Sequence, residues 1–193
     1  MNSRLPPKPD FDSLEALASQ SAAQRTQKLA LIGNLIFSWS NNESMFIYIL
    51  MLLLETDFKS AAIIFVTLNT TRARLDLIRR LAKAKLGDAE TIKKIDRLID
   101  RFNRCTRVRN EFNHCIYDVN ERGEITHTNV LRVVESKKEF KIVTVKEFDQ
   151  KRMKEISNTV KRLRNINRDI WAFLPVLEAA MADRPGRRAG SEA

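Results

Sequence analysis

The chain has 193 residues, of which 44% are hydrophobic and 30% are charged, a composition typical of a folded domain and not of a disordered or low-complexity chain. Its 34 Lys and Arg residues exceed its 24 Asp and Glu residues, which gives a formal net charge of +10. Such an excess favours an anionic partner such as nucleic acid over a small neutral substrate.

The two ends of the chain differ in composition from the rest. Residues 1–11 hold three of the five prolines, and residues 184–193 are rich in Gly, Arg and Ser. We expect a disordered lead-in at 1–11 and a disordered basic tail at 184–193. Residues 12–183 are predicted to form a single helical domain.

Apolar residues recur at helical spacing through most of this domain, and the sparse prolines allow long helices. The pattern predicts a first helix that ends near Leu54, a second over residues 57–86 and a third over residues 89–115. A last long helix is predicted from Glu147 onward. Amphipathic helices with short connections indicate an all-α bundle of four to five helices.

The pattern changes between the third and last helices. There Val, Ile and Thr are dense around two turn signals, residues 120–123 and 136–139. We predict a small antiparallel β-meander of two or three strands at about residues 117–146, inserted before the last helix. His127 is expected to be exposed on one of its strands.

The sequence offers little for a metal, a cofactor or a membrane span. With two Cys, two His and no C-x-x-C motif, no metal site is expected. The longest apolar run, residues 45–54, is half of the roughly 20 residues that cross a bilayer, and no signal peptide is recognised. We therefore expect a cytoplasmic protein without membrane contact or cofactor.

The third helix places an arginine within its apolar stripe. At about 100° per residue, Arg109 lies in register with Phe102 and Phe112. A guanidinium there requires a carboxylate, a carbonyl or a bound phosphate. Glu43, on the apolar stripe of the first helix, is a candidate partner, but Arg72 of the second helix competes for it. If Glu43 pairs with Arg109, that arginine is architectural, and both pairings stay open.

Two polar residues flank Arg109 on the same helix. Asn110 and His114 are four positions apart, and therefore on one face, at the edge where the core meets solvent. Together the three residues supply a fixed positive charge, an amide donor and a group that moves protons near neutral pH. Metal-free RNA cleavage requires these groups: a base takes the ribose 2′-hydroxyl proton and a cation stabilises the developing charge.

The segment Arg109-Asn110-Glu111-Phe112-Asn113-His114 resembles the R-[N/D/H]-x-x-x-H signature of HEPN domains, helical ribonucleases and nucleotide-binding proteins common in prokaryotic toxin and defence systems. The family's bundle of four to five helices is similar to the predicted architecture, over residues 12–116 and 147–182. The resemblance implies a metal-independent endoribonuclease in which two protomers join their motifs and leave a 2′,3′-cyclic phosphate. It implies that Arg109 binds the phosphate, His114 transfers protons and Asn110 is an accessory polar residue.

The resemblance also implies partners: RNA, a second copy of the chain and, as in toxin members, an antitoxin protein. Toxins of the family that are silenced by nucleotidylation carry Tyr two residues after the His. Here Tyr117 comes three residues after His114, so this regulation is not expected.

Basic residues are concentrated on the predicted helices rather than in a detachable tail. Residues 93–109 carry seven basic and two acidic side chains, and residues 151–168 carry seven and one. Such helices favour a surface that holds a polyanion, and we expect RNA contacts from Arg101, Arg104 and Arg107.

These observations lead to a predicted HEPN-like endoribonuclease that acts as a homodimer. The first alternative is a non-catalytic helical module that binds RNA or a protein through its basic faces, with Arg109 serving only the core. The second is a purely structural oligomerisation bundle. An open cleft shared between two copies favours the enzyme, and a sealed salt bridge at Arg109 favours the alternatives.

Overall fold

The computed structural model describes residues 12, 16, 22–136 and 139–183, and the predicted lead-in and tail lie outside them. The described part is mostly helical, with a three-stranded antiparallel sheet before the last helix, which confirms the predicted fold class. Its elements are α1 (Ala22–Leu54), α2 (Phe58–Thr67), α3 (Thr71–Lys85), α4 (Ala89–Asn113), β1 (Cys115–Val119), β2 (Ile125–Ser136), β3 (Glu139–Glu147) and α5 (Gln150–Ala182).

The second predicted helix is in fact two helices, α2 and α3, separated by residues 68–70. The Asp57 carboxylate caps α2 by accepting a hydrogen bond from the Ser60 backbone N–H at 3.0 Å. The Thr70 hydroxyl caps α3 by accepting from the Ala73 N–H at 3.1 Å. The prediction of one continuous helix was wrong because a threonine that satisfies a free N–H favours the start of a new helix at this point.

The predicted meander is confirmed as a sheet with the order β1-β2-β3. On β2, His127 lies opposite Asp118 of β1 on one side and Glu147 of β3 on the other. Helix α4 ends at Asn113 rather than near residue 115, so the strands begin earlier than predicted. Ile116 lies on β1 and is 53% exposed.

The chain divides into two compact units. Unit 1 comprises Met1–Leu35 and Asn110–Asn158, and unit 2 comprises Ile36–Arg109 and Thr159–Ala193. Helices α1, α4 and α5 each contribute residues to both units, and within α4 the division falls directly after Arg109.

Each unit has its own buried apolar residues. In unit 2 the Phe102 ring packs 5.5 Å from Trp39 and 5.2 Å from Phe46, measured between ring centres. In unit 1 the rings of Phe112 and Phe148 lie 5.6 Å apart. On α5 the apolar residues that recur at helical spacing and are buried include Met153, Ile156, Val160, Leu163, Ile170 and Leu177.

Candidate functional site

Arg109, in unit 2, is half-buried against a tryptophan. Its guanidinium carbon lies 3.4 Å from the centre of the Trp39 ring, and Trp39 itself is only 3% exposed. The indole Nε1–H donates to the Thr106 hydroxyl at 2.9 Å, and that hydroxyl donates to the Phe102 carbonyl at 3.0 Å. Because hydrogen bonding and stacking fix the indole, the guanidinium rests on a rigid surface.

Glu43 also acts on Arg109, within the same unit. Burial lowers the pKa of the Arg109 guanidinium, and the Glu43 carboxylate acts in the opposite direction. The carboxylate itself pairs with Arg74 at 3.2 Å and accepts a hydrogen bond from the Thr71 hydroxyl at 2.6 Å. Arginine keeps its proton at physiological pH, so Arg109 is a fixed cation beside a carboxylate that Arg74 and Thr71 hold in place.

The proposed competition of Arg72 for Glu43 is wrong. The Arg72 side chain is 92% exposed and pairs with Asp76 at 3.7 Å. Arg74 takes its place, and its Nε–H also donates to the carbonyls of Phe65 (3.0 Å) and Leu68 (2.9 Å). The prediction assumed one continuous helix, and the break between α2 and α3 changes the helical phase, so Arg72 faces solvent and does not reach Glu43.

Asn110 and His114, in unit 1, are both exposed, which confirms the predicted exposure of His114. Because α4 ends at Asn113, His114 is the first residue beyond the helix, although its backbone N–H still donates to the Asn110 carbonyl at 3.1 Å. The Asn113 side-chain nitrogen lies 3.4 Å from Nε2 of the imidazole. The imidazole is thus accessible to a ligand from solvent.

Glu111 and Phe112, inside the R-N-x-x-x-H segment, anchor it in unit 1. The Glu111 carboxylate pairs with Arg152 of α5 at 2.9 Å and with Lys146 of β3. The Arg152 guanidinium also lies 4.6 Å from the centre of the buried Phe112 ring, which packs on Phe148. Helical periodicity signals the burial of Phe112, but it carries no signal for the partners of Glu111.

Two side chains of β1 bind the carbonyl of Phe112 near the end of α4. The Tyr117 hydroxyl donates to it at 2.5 Å, and the Cys115 thiol donates at 3.6 Å. Burial raises the pKa of Tyr117, and its hydrogen bond with Cys115 acts in the same direction. Burial also raises the pKa of the Cys115 thiol. These contacts satisfy a carbonyl that the end of the helix leaves without an intrahelical partner.

The second histidine, His127, is half-buried rather than exposed. It is covered because its strand is the central one and has a neighbour on each side. Its Nδ1 lies 3.1 Å from the Thr126 hydroxyl.

Among the arginines predicted to bind RNA, Arg104 and Arg107 are exposed and Arg101 is half-buried. Arg101 and Arg104, together with Arg162 of α5, act electrostatically on the buried thiol of Cys105. Burial raises the pKa of this thiol, and the three arginines act in the opposite direction. Arg162 was not singled out in the sequence, because only the pairing of α5 with α4 brings it there.

A groove of about 290 Å³ lies between α4 and α5 within unit 2. Its lining consists of Lys94, Arg97, Leu98, Arg101, Asp169, Ala172, Phe173 and Val176. Asp169 pairs with Arg101 at 2.5 Å. The sequence placed Lys94 and Arg97 in a basic run but did not indicate the groove, which requires the apolar side chains of α5.

The comparisons with protein-family models, curated proteins and solved structures found no match for the chain. Within the described residues, no three or more His, Cys, Asp or Glu side chains are grouped so that they could hold a metal ion. None of the described helices is long and apolar enough to cross a membrane.

Proposed function

We propose that the protein is an HEPN-like, metal-independent endoribonuclease that acts as a homodimer, in a toxin or defence system. The observation that carries the proposal is the chemistry of the R-N-x-x-x-H segment. Arg109 is a fixed cation stacked on Trp39, and His114 presents an exposed imidazole five positions later. A rigid cation and an accessible proton-transfer group are what this reaction requires.

In the proposed reaction the ribose 2′-oxygen attacks the adjacent phosphorus. The bond from the 2′-oxygen to phosphorus forms, and the bond from phosphorus to the 5′-oxygen breaks, which leaves a 2′,3′-cyclic phosphate and a 5′-hydroxyl. His114 takes the 2′-hydroxyl proton, and Arg109 stabilises the charge that develops on the phosphoryl oxygens. Asn110 donates an amide N–H, and the second motif of the dimer supplies an imidazole that protonates the 5′-oxygen.

A non-catalytic module that binds RNA or a protein partner is the second candidate function. The 3.4 Å contact between Arg109 and Trp39 favours it, because a guanidinium that packs on a buried ring also serves the core. The basic groove of unit 2 would then be the functional surface.

Cleavage of a mixed RNA substrate in the presence of EDTA distinguishes the two candidates. His114→Ala should lower the cleavage rate by about 10² to 10⁴, the usual effect of losing a general acid or base. RNA affinity and thermal stability should stay close to those of the wild type, because His114 is exposed. The matched control is His127→Ala, which removes the other histidine and should leave the rate unchanged.

Two results would refute the enzyme. Equal rates for the wild type and His114→Ala, or no cleavage by either, would leave the binding module as the function. Light scattering provides an independent check, since a strict monomer at micromolar concentration could not join two motifs.

A further inference from the structure

A row of cations follows one face of α4 in unit 2. Lys94, Arg97, Arg101 and Arg104 follow one another at steps of three and four residues, over about 15 Å of helix axis at about 1.5 Å per residue. The row forms a continuous positive edge beside the groove.

The acidic residues in this part of α4 are engaged on other sides. Asp96 and Asp100 both pair with Arg79 of α3, and Glu90 pairs with Lys93 at 2.9 Å. These carboxylates therefore neutralise cations outside the groove lining.

Within the groove lining, Asp169 is the single carboxylate, and it pairs with Arg101. Neither Lys94 nor Arg97 forms an ion pair with a carboxylate of the described residues. Lys94 is only a minor contributor to the lowered pKa of the exposed Asp88. The groove therefore keeps a net positive charge that suits a ligand with several negative charges.

The opposite wall of the groove is apolar. Ala172, Phe173 and Val176 of α5 form it, and Val176 is 42% exposed. A volume of about 290 Å³ lies at the lower end of the range for small-ligand pockets. It suits one flat heterocycle and not a double helix. The ligand that fits both walls thus carries repeated anionic groups and flat, weakly polar rings.

We infer that this groove holds a single strand of RNA, with the α4 cations on its phosphates and one unstacked base against the α5 wall. The choice of RNA rests on the proposed function. Arg109 follows Arg104 by five residues, about 8 Å along the helix axis. Five residues also turn the helix by about 140°, so a strand that leaves the groove at the Arg104 end must bend around α4 to reach Arg109, and the base in the groove then lies to one side of the cleaved bond.

The composition of the row favours phosphate over carboxylate. Three of its four cations are arginines, whose planar fork donates two hydrogen bonds to one phosphate. A duplex keeps its bases stacked in pairs, so only a single strand or a loop can place a base against the apolar wall. An acidic peptide would contact the same cations, so binding of an acidic peptide probe is compared with binding of RNA.

The test measures binding to the full-length protein, with fluorescently labelled RNA whose 2′-O-methyl sugars prevent cleavage. The double variant Lys94→Ala/Arg97→Ala should weaken single-strand binding by about tenfold and reduce the slope of log K against log salt by about 0.7 per lost phosphate contact. Ala172→Leu fills the groove without changing charge and should weaken binding about fivefold at an unchanged salt slope. Arg80→Ala, which removes an exposed cation of α3, is the matched control and should bind like the wild type.

Three results would overturn the inference. The groove variants could bind as tightly as Arg80→Ala, a duplex of the same sequence could bind equally well and lose as much affinity, or the variants could lose an acidic peptide probe but not RNA. Cleavage is scored separately. If the wild type binds RNA through the groove but does not cleave it, the nuclease is refuted and the RNA-binding groove is retained. If the wild type cleaves RNA but the groove variants bind as tightly as the wild type, the groove is refuted and the nuclease is retained.

Discussion

Two segments of α4 place their charges in different surroundings. In the groove segment, residues 94–104, Lys94, Arg97 and Arg104 are exposed and Arg101 is half-buried. In the motif segment, residues 109–114, which runs one residue past the end of the helix, Arg109 stacks on Trp39 and the half-buried Glu111 pairs with Arg152. Exposed cations contribute little to folding stability, and half-buried ones are tied to the core. Affinity for RNA and the rate of cleavage should therefore be separable by mutation along this part of the chain.

Arg109→Ala should have the largest effect on cleavage. The cleavage rate at saturating RNA should fall by about 10² to 10³, because the negative charge that develops on the phosphate is no longer stabilised by a cation. Arg109→Lys should recover only part of the rate, since an ammonium keeps the charge but lacks the planar fork that stacks on Trp39. Single-turnover cleavage at saturating RNA measures both.

Arg104→Ala is the control for this experiment, because Arg104 is exposed on the same helix. It should weaken RNA binding while the rate at saturating RNA stays unchanged. The comparison fails if Arg109→Ala lowers thermal stability but its folded fraction cleaves at the wild-type rate. Arg109 would then serve the core alone.

The motif segment should also depend on the ring beneath it. Trp39→Ala should lower the free energy of unfolding by about 3–5 kcal/mol, because it removes a buried ring that stacks on Phe102 and supports Arg109. Phe37→Ala, on the same helix but 65% exposed, should change it little. Urea unfolding measures both variants, and similar losses would mean that burial at Trp39 does not set the stability of this site.

Local patterns predicted the elements of this fold but not the partners of its charges. Helical periodicity identified the buried stripe of the last helix, because spacing within one helix decides which side chains share a face. Glu111 pairs with Lys146 and Arg152, which are 35 and 41 residues away in the sequence. No local pattern relates residues at such distances.

Helix breaks limit sequence reasoning in a second way. The reading of Arg72 as a partner of Glu43 assumed one helix through residues 57–86, and the cap at Thr70 resets the phase. Arg74 therefore faces Glu43. His114 is exposed, as predicted, but it lies one residue beyond the end of α4 and not on its flank.

The finding that Arg74, and not Arg72, pairs with Glu43 can be tested directly. Arg74→Ala should lower the free energy of unfolding by about 2 kcal/mol, because it removes the cation that pairs with Glu43 and the donor to the carbonyls of Phe65 and Leu68. Arg72→Ala is the matched control and should have no measurable effect, since its ion pair is exposed. Equal losses would contradict the assignment of Arg74 to Glu43.

The smallest predicted effect is a pH dependence of folding stability that involves the motif segment and not the groove segment. The pKa of Tyr117 is raised in the folded protein, so the unfolded chain releases this proton first as the pH rises. The stabilisation is complete below the ordinary phenol pKa of about 10 and is lost progressively above it. Tyr117→Phe should cost about 1 kcal/mol at pH 8, where the hydrogen bond to the Phe112 carbonyl is lost.

Above about pH 10 the difference in the free energy of unfolding between the wild type and Tyr117→Phe should narrow, because only the wild type then gains a phenolate on unfolding. Urea unfolding at pH 8 and at about pH 10.5 measures this difference. Burial raises the pKa of the Cys115 thiol and its hydrogen bond with Tyr117 lowers it, so Tyr117→Phe also changes the contribution of this thiol, and the comparison is made with Cys115→Ala in both proteins. Arg97→Ala, in the groove segment, should run parallel to the wild type over this range, since a guanidinium does not titrate there. If the difference in the free energy of unfolding stays constant with pH, the protonated Tyr117 hydroxyl does not stabilise the end of α4.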